Sequence, residues 1–168
     1  TSDGGYIDQD GYVFIMGRTD DVINVAGHRL STGEMEELIG SHDAVAECAV
    51  VGIDDQLKGQ LPVGLVVLKD GADVEVAQLE ADLVALIRKE IGAVASFKKA
   101  IVLARLPKTR SGKILRKTIR RLAVEEKIIT PPTIDDPSIL AEIRTALREH
   151  RVGQYANLPI DEGEADGL

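Results

Sequence analysis

The chain has few aromatic residues and a single cysteine. Tryptophan is absent, and three tyrosines and two phenylalanines make up 3% of the 168 residues, so the core must consist mostly of Val, Ile, Leu and Ala. Cys48 cannot form an internal disulfide and has no metal-ligand spacing around it. We therefore expect a buried structural thiol in a reducing cytoplasm. No apolar run approaches the roughly 18 residues of a membrane span, and we predict no contact with a membrane.

An overall positive charge is also lacking. The net charge of −8 argues against a general affinity for nucleic acids. The charge is unevenly distributed, because residues 108–121 contain seven basic residues and no acidic one, whereas residues 161–168 are strongly acidic. A local basic surface on an acidic protein favours a small anionic ligand over a polynucleotide.

The pattern of apolar residues predicts an α+β fold. Residues 6–16 read as a hairpin with Asp10-Gly11 at its turn, and 22–25 reads as a strand-like run. We predict a three-stranded sheet backed by helices, with an N-terminal β-hairpin and a C-terminal helical extension. The core strands are expected at 44–53, 63–68 and 100–104, and the helices after the capping box at 31–34, over 74–91, over about 112–127 and after an N-cap at Asp136.

The segment 106–116, Leu-Pro-Lys-Thr-Arg-Ser-Gly-Lys-Ile-Leu-Arg, places Lys113 on a Ser-Gly turn at the start of a basic helix. Such a lysine could neutralise the charge that develops between an attacking carboxylate and an α-phosphate. The alternative is a solvated lysine at a helix start. The turn is not a nucleotide-binding P-loop, because Lys108 stands where the first glycine belongs and Ile114 follows the lysine.

Together with residues 17–30, Gly-Arg-Thr-Asp-Asp-Val-Ile-Asn-Val-Ala-Gly-His-Arg-Leu, this segment resembles the C-terminal domain of acyl-CoA synthetases. These enzymes belong to the acyl-adenylate-forming superfamily, in which the domain is a mobile lid. The resemblance implies that Lys113 is the lysine required to form the acyl-adenylate. It also implies that a lysine acyltransferase switches the enzyme off at Lys113 and that a deacylase restores it.

The same resemblance assigns a nucleotide contact and a hinge near the N-terminus. Arg18 would bind the nucleotide, and Asp20 would be the hinge about which the lid rotates. Thr1-Ser2-Asp3 resembles the Thr-Gly-Asp motif whose aspartate holds the ribose hydroxyls of ATP, although Ser2 replaces the usual glycine. The alternative readings are a surface arginine paired with Asp20 or Asp21, and a turn residue at Asp20.

A loop for coenzyme A is implied at Ala26, Gly27 and Arg29, with Arg88 as a second contact to the CoA phosphates. Gly27 would let the backbone approach the ligand, and Arg29 offers a fork of donors to a phosphate. Arg88 could equally be a solvated helix residue. A general-base role for His28 is disfavoured, because no carboxylate or nucleophile stands beside it in the motif.

The resemblance covers about residues 1–150 and is closest to the synthetases for propionate and acetate. Alanine before Gly27 and the extension at 128–150 are more similar to the propionate branch. The implied partners are an N-terminal adenylation domain, a short-chain carboxylate, CoA, and ATP with Mg²⁺ held mainly by that absent domain. Because the chain begins without Met or a signal-peptide pattern, we expect a fragment boundary there.

We expect four segments: the end of the large-domain region with the hairpin and hinge (1–20), the lid (21–127), a linker with the last helix (128–150) and a mobile acidic tail (151–168). Two other functions stay open. Residues 108–121 could dock a nucleic acid or an acidic partner in a non-catalytic module, although no stacking aromatic residues are interleaved with the charges. The domain could also be the lid of a peptide-synthetase adenylation domain, which Gly27-His28-Arg29 disfavours.

Overall fold

The computed structural model describes residues 3–18, 21–124 and 127–157. Within these ranges the chain forms seven strands and four α-helices. The strands are β1 (Asp3–Ile7), β2 (Val13–Arg18), β3 (Val22–Val25), β4 (His28–Ser31), β5 (Val45–Asp55), β6 (Gly59–Leu68) and β7 (Lys99–Val102), and the helices are α1 (Thr32–Gly40), α2 (Val76–Glu90), α3 (Arg116–Val124) and α4 (Ile139–Glu149).

The first two strands form the predicted N-terminal hairpin. β1 and β2 pair antiparallel, with an irregularity between Gly4 and Gly5. The Asp8 carboxylate closes the turn by accepting hydrogen bonds from the backbone N–H groups of Asp10 and Tyr12, both at 3.0 Å. An aspartate that binds the backbone two residues onward is a typical turn former, so the Asp-Gly signal located this hairpin correctly.

The main sheet has five strands, in which β6 pairs with β5, β3 and β7, and β4 pairs with β3. The α+β prediction is confirmed, and the three expected core strands are β5, β6 and β7. The hairpin of β3 and β4 raises the strand number from the expected three to five. The sequence does not reveal β4, because its side chains are mostly exposed and show no apolar alternation.

Both faces of the sheet are covered, since successive residues of a strand point to opposite faces. Leu65 on β6 packs in a core with α3 and α4, whereas the next residue, Val66, packs in a second core with α1 and α2. A strand buried on both faces reads as a continuous apolar run. This explains why residues 63–68 are apolar without alternation.

The helices differ from the prediction mainly at their N-terminal ends. α3 begins at Arg116 rather than near residue 112, because residues 108–114 form a tight turn instead of helix. α4 begins at Ile139 with Ser138 as N-cap, and Asp136 accepts the Ser138 N–H at 2.9 Å. In α2, Val76 is in helical register with the buried residues Leu79, Leu83 and Ile87 but is itself 44% exposed.

The C-terminal extension packs against the domain as far as residue 157. Val152 and Tyr155 are buried in the core that contains α3 and α4. The expected mobile tail from residue 151 is therefore corrected for residues 151–157, whereas residues 158–168 lie outside the described part of the chain. None of the helices in the described ranges is both long and apolar enough to cross a membrane.

Candidate functional site

Lys113 lies on a hydrogen-bonded turn rather than at a helix N-terminus. The Thr109 N–H donates to the Lys113 carbonyl and the Gly112 N–H donates to the Thr109 carbonyl, both at 2.8 Å. The Thr109 hydroxyl oxygen accepts the Lys113 N–H at 3.0 Å, and Gly112 has a φ of +86°. A turn followed by a glycine with positive φ is a common three-residue hairpin connection, and it fixes the backbone of Lys113.

The Lys113 side chain is exposed and forms no ion pair with any residue that the structure describes. An ammonium group on a four-carbon stem projecting from a fixed turn can reach a ligand bound elsewhere. Because α3 starts three residues later, the unfavourable interaction of a cation with a helix N-terminus does not arise at Lys113.

A short stretch of the C-terminal extension, residues 133–135, lies along the outer side of this turn. The Arg110 N–H donates to the Thr133 carbonyl at 3.1 Å, and the Asp135 N–H donates to the Lys108 carbonyl at 2.9 Å. Thr109 and Ile134 form an antiparallel bridge between these bonds. Lys108 also bridges Ile114 across the turn, so residues 108–109 lie between Ile114 and Ile134 in a small three-segment sheet.

A bidentate ion pair fixes the chain on the other side of the turn. The Arg116 guanidinium donates to Glu36 on α1 through Nε at 2.9 Å and Nη2 at 2.6 Å. Glu36 also accepts the Val50 N–H at 2.8 Å. These hydrogen bonds to Glu36 raise the pKa of Arg116 despite its partial burial. The pair connects the start of α3 to α1 and β5.

The Lys113 turn shares a shallow cleft with the residue that follows the predicted hinge. Asp21 lines this cleft together with Thr109, Lys113 and Arg116. The Asp21 carbonyl also accepts a hydrogen bond from the Thr32 hydroxyl at 3.2 Å. Asp20 itself lies outside the described residues, and its hinge role stays a prediction.

The predicted CoA loop is the two-residue turn between β3 and β4. Ala26 has a φ of +50° and Gly27 a φ of +85°. Positive φ at both central residues is the pattern of the hairpin turn that matches strand twist. For alanine this conformation is unfavourable by roughly 1 kcal/mol, and such local strain is often found at ligand sites. The space around the Gly27 Cα is open within the described chain.

Lys58 connects this turn to Arg88. The Ala26 N–H donates to the Lys58 carbonyl at 2.8 Å, and the Lys58 ammonium donates to the Ser96 hydroxyl at 2.7 Å. Lys58, Arg88, Ser96 and Lys98 line one pocket of about 190 Å³. The structure therefore brings Ala26 and Arg88 to the same side of the domain, with Lys58 between them.

Arg29 lies on the edge strand β4, where it is the register partner of Asn24. Its side chain is exposed, as is that of Arg88, and neither forms an ion pair with a described residue. Unpaired guanidinium groups beside an open turn can hold phosphate oxygens through paired donors.

Asp3 and Arg18 are register partners across the N-terminal hairpin. Directly opposite residues of an antiparallel pair have Cα atoms roughly 4.5–5.5 Å apart. The two candidate nucleotide contacts, fifteen positions apart in the sequence, are therefore backbone neighbours.

Cys48 lies on β5 behind the Glu36–Arg116 pair. Its thiol donates to the Glu36 carbonyl at 3.2 Å. Burial and, next, the negative charge of Glu36 raise the pKa of Cys48 to about 11. The thiol is therefore a half-buried, unreactive group, close to the expected structural role.

Sequence reasoning missed Glu36 and Lys58 as site residues. Glu36 is 80 positions from Arg116, and no local pattern connects them. The one sequence feature that could have indicated Glu36 is its position next to Met35, beside the apolar face of α1. Lys58 is the last turn residue of the β5–β6 hairpin, a position at which a lysine is usually solvated.

Comparison with known proteins identifies a family for the central part of the chain. Residues 34–113 match the AMP-binding enzyme C-terminal domain. The matched segment begins in α1, crosses the sheet and ends at Lys113. This part of the chain belongs to the family of AMP-binding enzyme C-terminal domains.

Two relatives and one solved structure illustrate the similarity. An uncharacterized protein of Pseudomonas aeruginosa is 62% identical over 91% of this chain and 24% of its own length. The propionate–CoA ligase of Escherichia coli is 48% identical over 89% of this chain and 24% of its own length. The crystal structure of the Brucella canis acyl-CoA synthetase has a TM-score of 0.57 at 34% identity, over 72% of this chain and 22% of that one. The chain thus spans about a quarter of the length of these relatives.

Proposed function

We propose that this chain is the mobile C-terminal lid of an AMP-forming acyl-CoA synthetase that converts a short carboxylate, ATP and CoA into acyl-CoA, AMP and pyrophosphate. The observation that carries the proposal is the Lys113 turn, which holds on a fixed backbone an ammonium group that forms no ion pair with a described residue. The family match and the similarity to a propionate–CoA ligase support it.

In the first half-reaction a carboxylate oxygen attacks the α-phosphorus of ATP, and the bond to pyrophosphate breaks. Negative charge increases on the oxygens between the attacking and the leaving group. The Lys113 ammonium stabilises this charge by hydrogen bonding. Asp3 and Arg18 hold the ribose and the phosphates of the nucleotide from the adjacent strands β1 and β2.

In the second half-reaction the lid has rotated about Asp20, so that Lys113 is withdrawn and the β3–β4 turn faces the acyl-adenylate. The CoA sulfur attacks the acyl carbonyl carbon, and the bond from that carbon to the AMP phosphate oxygen breaks. AMP leaves, and the thiol proton passes to the solvent. Ala26 and Gly27 line the CoA with backbone atoms, while Arg29 and Arg88 bind its phosphates. Lys58 adds a cation to the pocket that Arg88 lines.

Mg²⁺ has no site of its own in this proposal. No group of three or more His, Cys, Asp or Glu side chains that could hold a metal occurs in the described ranges. We therefore assign the ion that accompanies ATP to the N-terminal adenylation domain.

The N-terminal adenylation domain is the proposed partner of the hairpin. Tyr6, Ile7, Tyr12 and Val13 of the β1–β2 hairpin are each more than half exposed. An apolar patch of this kind favours contact with another protein surface. The relatives are about four times as long as this chain, so a large domain of the same polypeptide is the natural occupant.

Propionate is the proposed acyl substrate, because the E. coli propionate–CoA ligase is among the relatives and Ala26 precedes Gly27. Acetate is the alternative. We further propose a cytoplasmic location and control by acylation of Lys113, whose exposed ammonium group is accessible to a lysine acyltransferase and, once acylated, to a deacylase.

The test is carboxylate-dependent exchange between ATP and pyrophosphate by the full-length enzyme, with acetate, propionate and butyrate. Exchange that is fastest with propionate and that falls about 100- to 1000-fold in Lys113→Ala is the expected result. If the wild-type enzyme showed no exchange with any of the three acids, the ligase assignment would be overturned.

The nucleic-acid alternative is weakened by the partners of the basic segment. Lys108, Arg116 and Arg120 pair with Glu47, Glu36 and Asp54, respectively. Cations that already neutralise carboxylates contribute less to phosphate binding. Salt-dependent micromolar binding of DNA or RNA by the full-length enzyme would favour this alternative instead.

A further inference from the structure

The C-terminal extension contacts the Lys113 turn directly, although the family match ends at residue 113. Residues 133–135, which we call the brace, contribute two backbone hydrogen bonds to it. One joins Arg110 to Thr133 at 3.1 Å and the other joins Asp135 to Lys108 at 2.9 Å. We propose that the brace is a positioning element of the adenylation site, which fixes the turn so that the Lys113 ammonium reaches the reacting phosphate.

The brace is itself anchored in the core. The Ile134 side chain is 4% exposed and packs in the core that contains α3 and α4. A side chain buried to this extent cannot move without opening that core. The backbone of residues 133–135 is therefore a fixed support rather than a loose strand laid on the turn.

A charged cluster holds the brace to the segment before the turn. Arg105, between β7 and the turn, forms ion pairs with Asp136 and with Glu142, the latter at 2.6 Å, and donates to the Ser138 hydroxyl at 2.8 Å. The hydrogen bond from Arg105 and then that from the Ser138 backbone lower the pKa of Asp136 to about 2, so Asp136 stays charged at neutral pH.

The remainder of the extension is fitted to α3. A Cβ atom on Gly153 would lie 2.1 Å from the Ala123 carbonyl oxygen, so the chain can approach α3 this closely only with glycine there. The Gln154 side-chain amide donates to the Leu122 carbonyl at 3.2 Å. The extension thus holds both the turn and the helix that follows it.

Displacement of a catalytic group by about 1 Å can lower a rate about 100-fold. A support for the turn should therefore affect adenylation much more than thioester formation, in which Lys113 has no role. This inference rests on the proposed function. A positioning effect should slow adenylation alone, whereas a general loss of stability should slow both half-reactions.

The test uses the full-length enzyme with Asp135→Pro, which removes the N–H bonded to the Lys108 carbonyl. Asp135→Ala is the matched control, since it keeps this N–H and loses only an exposed side chain without a described hydrogen bond. Asp135→Pro should lower the exchange of ATP with pyrophosphate about 10- to 100-fold. Thioester formation from supplied acyl-adenylate should stay at the wild-type rate, and Asp135→Ala should keep both activities.

Unchanged exchange in Asp135→Pro would overturn the proposal. If Asp135→Pro does not fold, Arg105→Gln is the second test. The ion pairs of Arg105 with Asp136 and Glu142 are half-exposed and contribute little to global stability, so this variant should fold. Arg105→Gln should selectively slow adenylation, with partial rescue in Arg105→Lys, and equal loss of both half-reactions would contradict a positioning role. A wild-type enzyme without exchange would instead refute the proposed function.

Discussion

The Lys113 turn and the β3–β4 turn are both hairpin connections with positive φ angles, but they are held very differently. The Lys113 turn is bonded internally through Thr109, braced by residues 133–135 and followed by the Glu36–Arg116 pair. The β3–β4 turn depends on its strand register and on one hydrogen bond from Ala26 to Lys58.

This difference matches what each turn offers to a ligand. The Lys113 turn presents one long side chain, whose charge is useful only if its backbone is fixed. The β3–β4 turn presents backbone atoms of Ala26 and Gly27 with open space around them, so a ligand can lie against the chain itself. Two half-reactions assigned to these two turns should therefore respond to different substitutions.

The largest expected effect separates the two turns at Lys113. Lys113→Ala should lower exchange of ATP with pyrophosphate about 100- to 1000-fold, the usual loss for one donor that stabilises transition-state charge. Thioester formation from supplied acyl-adenylate should stay near the wild-type rate. Lys69→Ala, at an exposed lysine in the loop after β6, is the control and should leave exchange unchanged.

The second prediction applies to the other turn. Arg29→Ala or Arg88→Ala should raise KM for CoA about 10- to 100-fold, because each loses a charge-assisted contact to phosphate. Exchange, which does not involve CoA, should be unaffected. Steady-state kinetics with varied CoA measures the effect. A KM for CoA equal to that of the wild type would show that the substituted arginine does not bind CoA.

The third prediction concerns the support beneath the Lys113 turn. Glu36→Gln should lower the free energy of unfolding by about 2 kcal/mol, between the values for exposed and fully buried pairs, because Arg116 is left charged and partly buried. Urea unfolding of the full-length enzyme measures this change. Glu37→Gln, at the exposed next position of α1, is the control and should change the free energy of unfolding little. Equal effects of the two variants would contradict a stabilising role of the Glu36–Arg116 pair.

The last prediction concerns an effect on stability that is confined to alkaline pH. The pKa of Cys48 is raised from an ordinary value of 9.0 to about 11 in the folded chain, so between these values the unfolded state loses the thiol proton first. Stability should therefore fall as pH rises from 9 to 11, and this contribution should be absent in Cys48→Ala. Thermal unfolding across that range measures it, and identical profiles would contradict the raised pKa.

Much of this architecture is readable from local sequence patterns. Ser31 does cap α1, accepting the Glu34 N–H at 3.3 Å, and the apolar spacing of α2 predicts the burial of Leu79, Leu83 and Ile87. The family motifs indicate the segments around Lys113 and around Ala26–Gly27 as candidate sites from sequence alone. Local sequence rules are sufficient to predict a helix cap and a buried helix face, and a specific motif is sufficient to locate the two turns.

Contacts between distant segments were not predictable in the same way. The Glu36–Arg116 pair and the brace connect residues far apart in the chain, and neither has a local signature. The start of α3 was misplaced because the basic pattern runs unbroken from residue 108 to 121, whereas the turn is decided by hydrogen bonds to Thr109 and to the brace. Tertiary contacts of this kind override local propensity.

The most direct test of the two-turn account compares both half-reactions in Lys113→Ala and Arg29→Ala of the full-length enzyme. The account predicts opposite selectivity: Lys113→Ala loses adenylation and keeps thioester formation, while Arg29→Ala keeps adenylation and loses thioester formation at limiting CoA. A parallel loss of both half-reactions in both variants would contradict the assignment of one turn to each step.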